Sequence, residues 1–100
     1  MSRTQQAIHE FEITEVEKMH TLDAFLRIPS VSADPEMKPH LLEAADFLKS
    51  YFEHLGMDEV KIFPTSLHPI VFTQKRSIKK ETKTLLIYGH YDVQPPDPLD

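Results

Sequence analysis

The chain contains no cysteine. That excludes a disulfide framework, a Cys-rich structural zinc site and a cysteine nucleophile. Any metal must therefore be held by His, Asp or Glu, and six histidines and sixteen acidic residues are present. Basic charge is also scarce: eleven Lys and Arg leave a net charge of −5. A general nucleic-acid binder needs a basic face to displace counterions from phosphates, so that class is not expected. No hydrophobic run approaches the length of a membrane span, and membrane association is not expected either. The first residues, Met1-Ser-Arg-Thr-Gln-Gln-Ala-Ile8, lack the apolar core and small-residue cleavage site of a secretory signal. A cytoplasmic location is the resulting expectation.

What is present suits a folded chain. In 100 residues, 40% are hydrophobic and 27% charged, both ordinary globular values. That length allows at most one small domain.

The periodicity predicts a helix over about residues 5–28. Val16, Met19, Leu22 and Leu26 recur at three- and four-residue steps, and Phe11 and Ile8 extend the stripe. Asp23 and Arg27 form an i,i+4 pair on its polar side. Pro29 ends it, because the residue before a proline is pushed out of the helical region. A turn-rich connection leads to a second helix over about residues 39–55. Its Leu41, Ala45, Leu48, Phe52 and Leu55 form a buried stripe, and Gly56 stands at the left-handed C-terminal cap.

After Gly56 the period changes, and strands are expected at 59–63, 69–73 and 84–89. The last, Thr84-Leu-Leu-Ile-Tyr-Gly89, is a continuous apolar run that reads as a strand covered on both faces. The basic stretch Lys75, Arg76, Lys79, Lys80 and Lys83 reads as the solvated tip of a hairpin between two strands. No aromatic residues interleave with it, so stacking on bases is not suggested. Two helices hardly supply both layers around a strand buried on both faces. Residues 1–100 are therefore expected to be the start of a longer polypeptide.

His90 and Asp92 follow the expected buried strand, where ligand sites of open α/β sheets collect. In extended backbone, residues i and i+2 point the same way, so imidazole and carboxylate project together while Tyr91 points elsewhere. That suits a metal-ligating histidine with a carboxylate behind it to fix its tautomer and orientation. Gly89 would allow a close backbone approach or a sharp turn. A His-x-Asp triplet alone also fits a solvated ion pair at a strand end. His9, His20, His40, His54 and His68 are scattered and read as surface or structural residues, with His40 and Glu43 as an exposed helical pair.

The wider segment Leu85-Leu-Ile-Tyr-Gly-His-Tyr-Asp-Val-Gln-Pro-Pro-Asp97 resembles the first signature of the M20 metallopeptidases. Within them it looks most like the dipeptidase-type branch, which includes carnosine dipeptidase-like enzymes. Leu26-Arg-Ile-Pro-Ser-Val-Ser32 and Phe47-Leu-Lys-Ser-Tyr-Phe-Glu-His-Leu-Gly56 resemble the segment after the family's first helix and its second helix. The resemblance covers most of residues 14–98.

It implies an α/β fold, an αβα sandwich of the zinc-exopeptidase type, of which 1–100 is the N-terminal portion. A smaller lid or dimerisation domain, absent from this chain, would support a homodimer. It also implies two zinc ions, or cobalt or manganese in some members, that activate a water to cut the amide bond of a dipeptide or short peptide. Carried over residue by residue, His90 is a metal ligand and Asp92 is the active-site acid that orients it. The other ligands and the general-base glutamate are not among these residues, so the 100-residue piece by itself is expected to be inactive. Two alternatives stay open: an N-acyl amino acid deacylase of the same family, and a non-catalytic homologue or binding domain. A bare structural fragment with a chance His-x-Asp is a third.

Overall fold

The computed structural model describes residues 1–97; the end of the 1–100 domain reading, residues 98–100, lies outside the described residues. Helix α1 spans Arg3–Leu26, a 3-10 turn spans Pro35–Met37, and helix α2 spans Lys38–His54. Strands β1 (Glu59–Phe63) and β2 (Ile70–Gln74) follow and pair antiparallel as one two-stranded sheet. The chain is thus of mixed α/β content.

Local chemistry accounts for each boundary. Ser2 caps α1: its hydroxyl accepts from the Gln5 N–H at 3.1 Å, and the Gln5 side chain accepts from the Ser2 N–H at 2.8 Å. This capping box satisfies donors that the first helical turn leaves free. Asp23 and Arg27 pair at 2.8 Å as their spacing predicts. Pro39 sits in the first turn of α2, where its missing N–H costs nothing. At the other end Gly56 has φ +77°, its N–H donates to Glu53 O at 3.0 Å, and Met57 N–H donates to Phe52 O at 3.3 Å. These bonds form the two-bond glycine stop in which a left-handed residue closes the last turn.

The core is small and lies where α2 meets the hairpin and the α1–α2 connection. Leu41 is 1% exposed, Ala44 and Ala45 are buried with it, and Ile28 and Val31 complete the group. The hairpin turns Val60, Ile62, Val71 and Thr73 to one half-buried face, with Ile62 opposite Val71. On the other face Phe63 and Phe72 meet edge-on with centroids 6.2 Å apart. Asp58 closes the open end of the hairpin. Its N–H donates to Gln74 O at 3.0 Å, and its carboxylate accepts from the Arg76 N–H at 2.7 Å. That bond holds the Asp58 carboxyl below its ordinary pKa, with the Lys75 and Arg76 charges acting in the same direction.

Three expectations fail. The apolar run at 84–89 is not a strand: Leu85, Leu86, Ile87 and Tyr88 are 82–89% exposed. A strand requires a partner for its N–H and C=O groups, and among the described residues β1 and β2 pair only with each other. Without a third strand the basic stretch is no hairpin tip. Arg76 instead turns back to Glu59 at 3.2 Å, and Lys75 to Asp58 at 3.6 Å. Gly89 does not have a left-handed φ and has nothing within 4 Å of a Cβ placed there, so neither a close approach nor a left-handed turn requires it.

The stripe on α1 is helical as expected but uncovered. Val16, Met19, Leu22 and Leu26 are 45–73% exposed, while Phe25 reaches Phe47 of α2 with ring centroids 5.6 Å apart. Accordingly the radius of gyration is 16.5 Å, against about 13 Å for a compact domain of this length.

Candidate metal centre at His90 and Asp92

Although strand 84–89 does not form, the residues after it are fixed in place. Val93 makes a parallel bridge to Val31, in the connection between α1 and α2. Val93 N–H donates to Ser30 O at 2.9 Å, and the Ser30 hydroxyl donates to Tyr91 O at 2.8 Å. Ser30 is 2% exposed, so these bonds are shielded from water. The Tyr91 hydroxyl reaches Pro69 O at 2.5 Å, just before β2. Burial, helped by the neighbouring Asp92 charge, raises the Tyr91 pKa and keeps the phenol protonated as a donor. Segment 91–93 is thereby held between the α1–α2 connection and the hairpin.

Alternation along this segment sends neighbouring side chains to different partners. Tyr91 goes to the hairpin, while His90 and Asp92 meet each other: His90 Nδ1 lies 3.0 Å from Asp92 Oδ1 and 3.1 Å from Asp92 O. Both partners are oxygen acceptors, so Nδ1 carries the proton and donates. In the neutral imidazole the lone pair then sits on Nε2. The His90 side chain is 74% exposed and that of Asp92 42%, which leaves the ring accessible from solvent.

The second carboxylate oxygen is also engaged. The Ser32 hydroxyl donates to Asp92 Oδ2 at 2.6 Å. This bond is the largest reason that the Asp92 pKa lies below its ordinary value; its own N–H and His90 add to the effect, and partial burial opposes it. Asp92 is therefore a carboxylate at neutral pH. Ser32 is steadied in turn, since His68 Nε2 donates to Ser32 O at 3.1 Å. His68 Nδ1 is buried without a partner.

The arrangement fits one corner of a metal site: an accessible imidazole nitrogen, with the other ring nitrogen anchored on a carboxylate. It is one corner only. Among the described residues, no group of three or more His, Asp or Glu side chains stands together to hold a metal, and a catalytic zinc takes about three protein ligands. His9 and His20 lie on α1, and His40 and His54 on α2. His40 pairs with Glu43 at 3.0 Å, both exposed.

Sequence reasoning missed Ser30, Ser32 and His68 as supports. Ser32 stands 60 positions from Asp92. Periodicity carries no signal across that separation, and a serine in a turn-rich segment has many local explanations.

No family model matches the chain, and no solved structure matches it. Three curated proteins do. The chain is 41% identical over 83 residues to the Cys-Gly metallodipeptidase dug1 of Schizosaccharomyces pombe, a match covering 74% of this chain and 17% of that protein. It is 34% identical over 86 residues to the Cys-Gly metallodipeptidase DUG1 of Candida albicans, covering 74% and 18%. Against the Saccharomyces cerevisiae protein of that name it is 29% identical over 82 residues, covering 70% and 17%. The chain thus spans 17–18% of the length of these relatives, and its kinship is with a short stretch of metallodipeptidases.

Proposed function

We propose that this chain supplies part of the metal site of a metal-dependent dipeptidase that hydrolyses the amide bond of dipeptides or short peptides. The observation that carries the reading is the His90–Asp92 pair: Nδ1 anchored at 3.0 Å on a carboxylate, Nε2 left to bind metal. The similarity to proteins named as Cys-Gly metallodipeptidases supports the same reading and suggests dipeptides such as Cys-Gly as substrates.

In this proposal the metal is zinc, two ions per site, with cobalt or manganese as substitutes. Bound metal would lower the pKa of a water and polarise the scissile carbonyl. His90 is a ligand through Nε2. Asp92 does not touch metal; it fixes the tautomer of His90, sets the ring plane and makes the imidazole a stronger donor. The remaining ligands and the general base belong to other parts of the protein. The wider proposal is an M20-type, carnosine dipeptidase-like protein whose catalytic domain is an αβα sandwich. Cytoplasmic location and a homodimer built through a separate domain complete it.

The test is a cycle of metal removal and return on the intact protein. Purified protein should hydrolyse Cys-Gly, lose that activity on dialysis against a chelator, and regain it with zinc. Full activity after complete metal removal would refute the proposal. Residues 1–100 alone should show no hydrolysis.

A further inference from the structure

We propose that Ser32 is a positioning residue of this site, its hydroxyl holding the Asp92 carboxylate in the one orientation that anchors the His90 imidazole. The inference rests on the metal-site reading above and adds to it a residue from the other end of the chain.

A carboxylate turns easily about its last side-chain torsion, which has broad, roughly two-fold preferences. An aspartate bound on one oxygen only would sample other rotations, particularly in a pair as exposed as His90 and Asp92. Asp92 is bound on both oxygens. Oδ1 faces His90 Nδ1 at 3.0 Å, and Oδ2 accepts from Ser32 at 2.6 Å. Two bonds on opposite oxygens fix the carboxylate plane, and that plane fixes the ring.

The clamp is useful only if Ser32 is itself rigid, and its surroundings make it so. Ile28, Ser30 and Val31 are buried immediately before it. Ser30 and Val31 are bonded to segment 91–93 through the Ser30 hydroxyl, Ser30 O and the Val31–Val93 bridge. His68, next to the hairpin, holds the Ser32 carbonyl at 3.1 Å. The α1–α2 connection thus acts as a platform. Ser30 ties it to the backbone of the site, and Ser32 alone reaches the functional carboxylate.

The bond pattern predicts different consequences for the two serines. Loss of the Ser30 hydroxyl should loosen the segment as a whole. Loss of the Ser32 hydroxyl should leave the backbone in place and free only the carboxylate. Removing a partner behind a metal-ligating histidine costs about 10–100-fold in metal affinity or activity.

The experiment uses the intact protein and compares Ser32→Ala, Ser32→Thr, Asp92→Asn, His90→Ala and the Ser32→Ala/Asp92→Asn double variant. Zinc affinity is read by chelator competition, kcat and KM are read separately on a dipeptide, and thermal unfolding is read on the metal-free protein. The expected result for Ser32→Ala is a tenfold or greater loss of zinc affinity, a lower kcat, a KM within about threefold and an apo melting temperature close to that of the parent. Ser32→Thr, which keeps a hydroxyl, should recover most of the loss. In the Asp92→Asn background Ser32→Ala should add less than about threefold, because the serine acts through that carboxylate. Unchanged zinc affinity and kcat in Ser32→Ala, beside a His90→Ala protein that loses zinc, would overturn this inference and leave the metal site standing. A His90→Ala protein with full zinc binding would overturn both. A Ser32→Ala protein that fails to fold, or a loss equally large in the Asp92→Asn background, would assign Ser32 to stability and overturn the positioning role.

Discussion

Replacing Asp92 by Asn changes charge and hydrogen-bonding capacity at almost constant shape. The carboxylate is acceptor-only and serves two donors, His90 Nδ1–H on Oδ1 and the Ser32 hydroxyl on Oδ2. The amide offers one oxygen and one NH2. If its oxygen stays on His90, the NH2 faces Ser32, whose hydroxyl can rotate to accept. If its oxygen stays on Ser32, the NH2 faces Nδ1–H, and two donors collide unless the imidazole changes tautomer and moves its lone pair off Nε2. Either arrangement removes the negative charge behind the ring. The expected cost is about 10–100-fold in metal affinity and kcat, or roughly 1.4–2.7 kcal/mol. Stability should hardly change, because both side chains are well exposed and exposed pairs contribute little. The assay is chelator competition for zinc on the intact protein, together with kcat on a dipeptide and thermal unfolding of the apo form. Wild-type zinc affinity and kcat in Asp92→Asn would refute the role given to the carboxylate. A large drop in apo melting temperature would show instead that the pair holds the fold.

Two further outcomes test the scaffold. Leu41 is 1% exposed in a core of few large side chains, so Leu41→Ala should cost about 3 kcal/mol, seen as a lower midpoint in denaturant unfolding; a change under about 1 kcal/mol would show that this core does not hold the scaffold together. Asp58 has its pKa lowered in the folded state, first by the Arg76 N–H, so its carboxylate supports the hairpin above the ordinary carboxyl range and that support is lost as pH falls through the folded value. The Arg76 amide resonance should therefore titrate with a midpoint below 3.8, the ordinary value for Asp58, and Asp58→Asn should abolish that titration; a midpoint at or above 3.8 would contradict the bond.

What could be read from the sequence was mostly local. Helix α2 and its Gly56 stop follow from a stripe of Leu41, Ala45, Leu48, Phe52 and Leu55, of which Leu55 is 54% exposed rather than buried, and from one residue free to adopt positive φ. Strands β1 and β2 follow from short apolar runs cut by prolines, and their pairing is between neighbours in the chain. The run at 84–89 failed because composition reports only what a segment would bury. Whether it is buried depends on partners, and among the described residues none pairs with it. The site divides along the same line. His90 and Asp92 are two residues apart, so their contact is local and could be read even though the strand expected before them does not form. Ser32 could be connected to Asp92 only once the bridge between Val31 and Val93 was known.

The central claim is that His90 Nε2 binds metal. Zinc content of the intact protein, purified with and without His90→Ala and equilibrated with equal free zinc, tests it most directly. The account predicts bound zinc in the parent, loss of at least one equivalent in His90→Ala and, with it, loss of dipeptide hydrolysis while the apo fold persists. Full zinc occupancy and full hydrolysis in His90→Ala would contradict it.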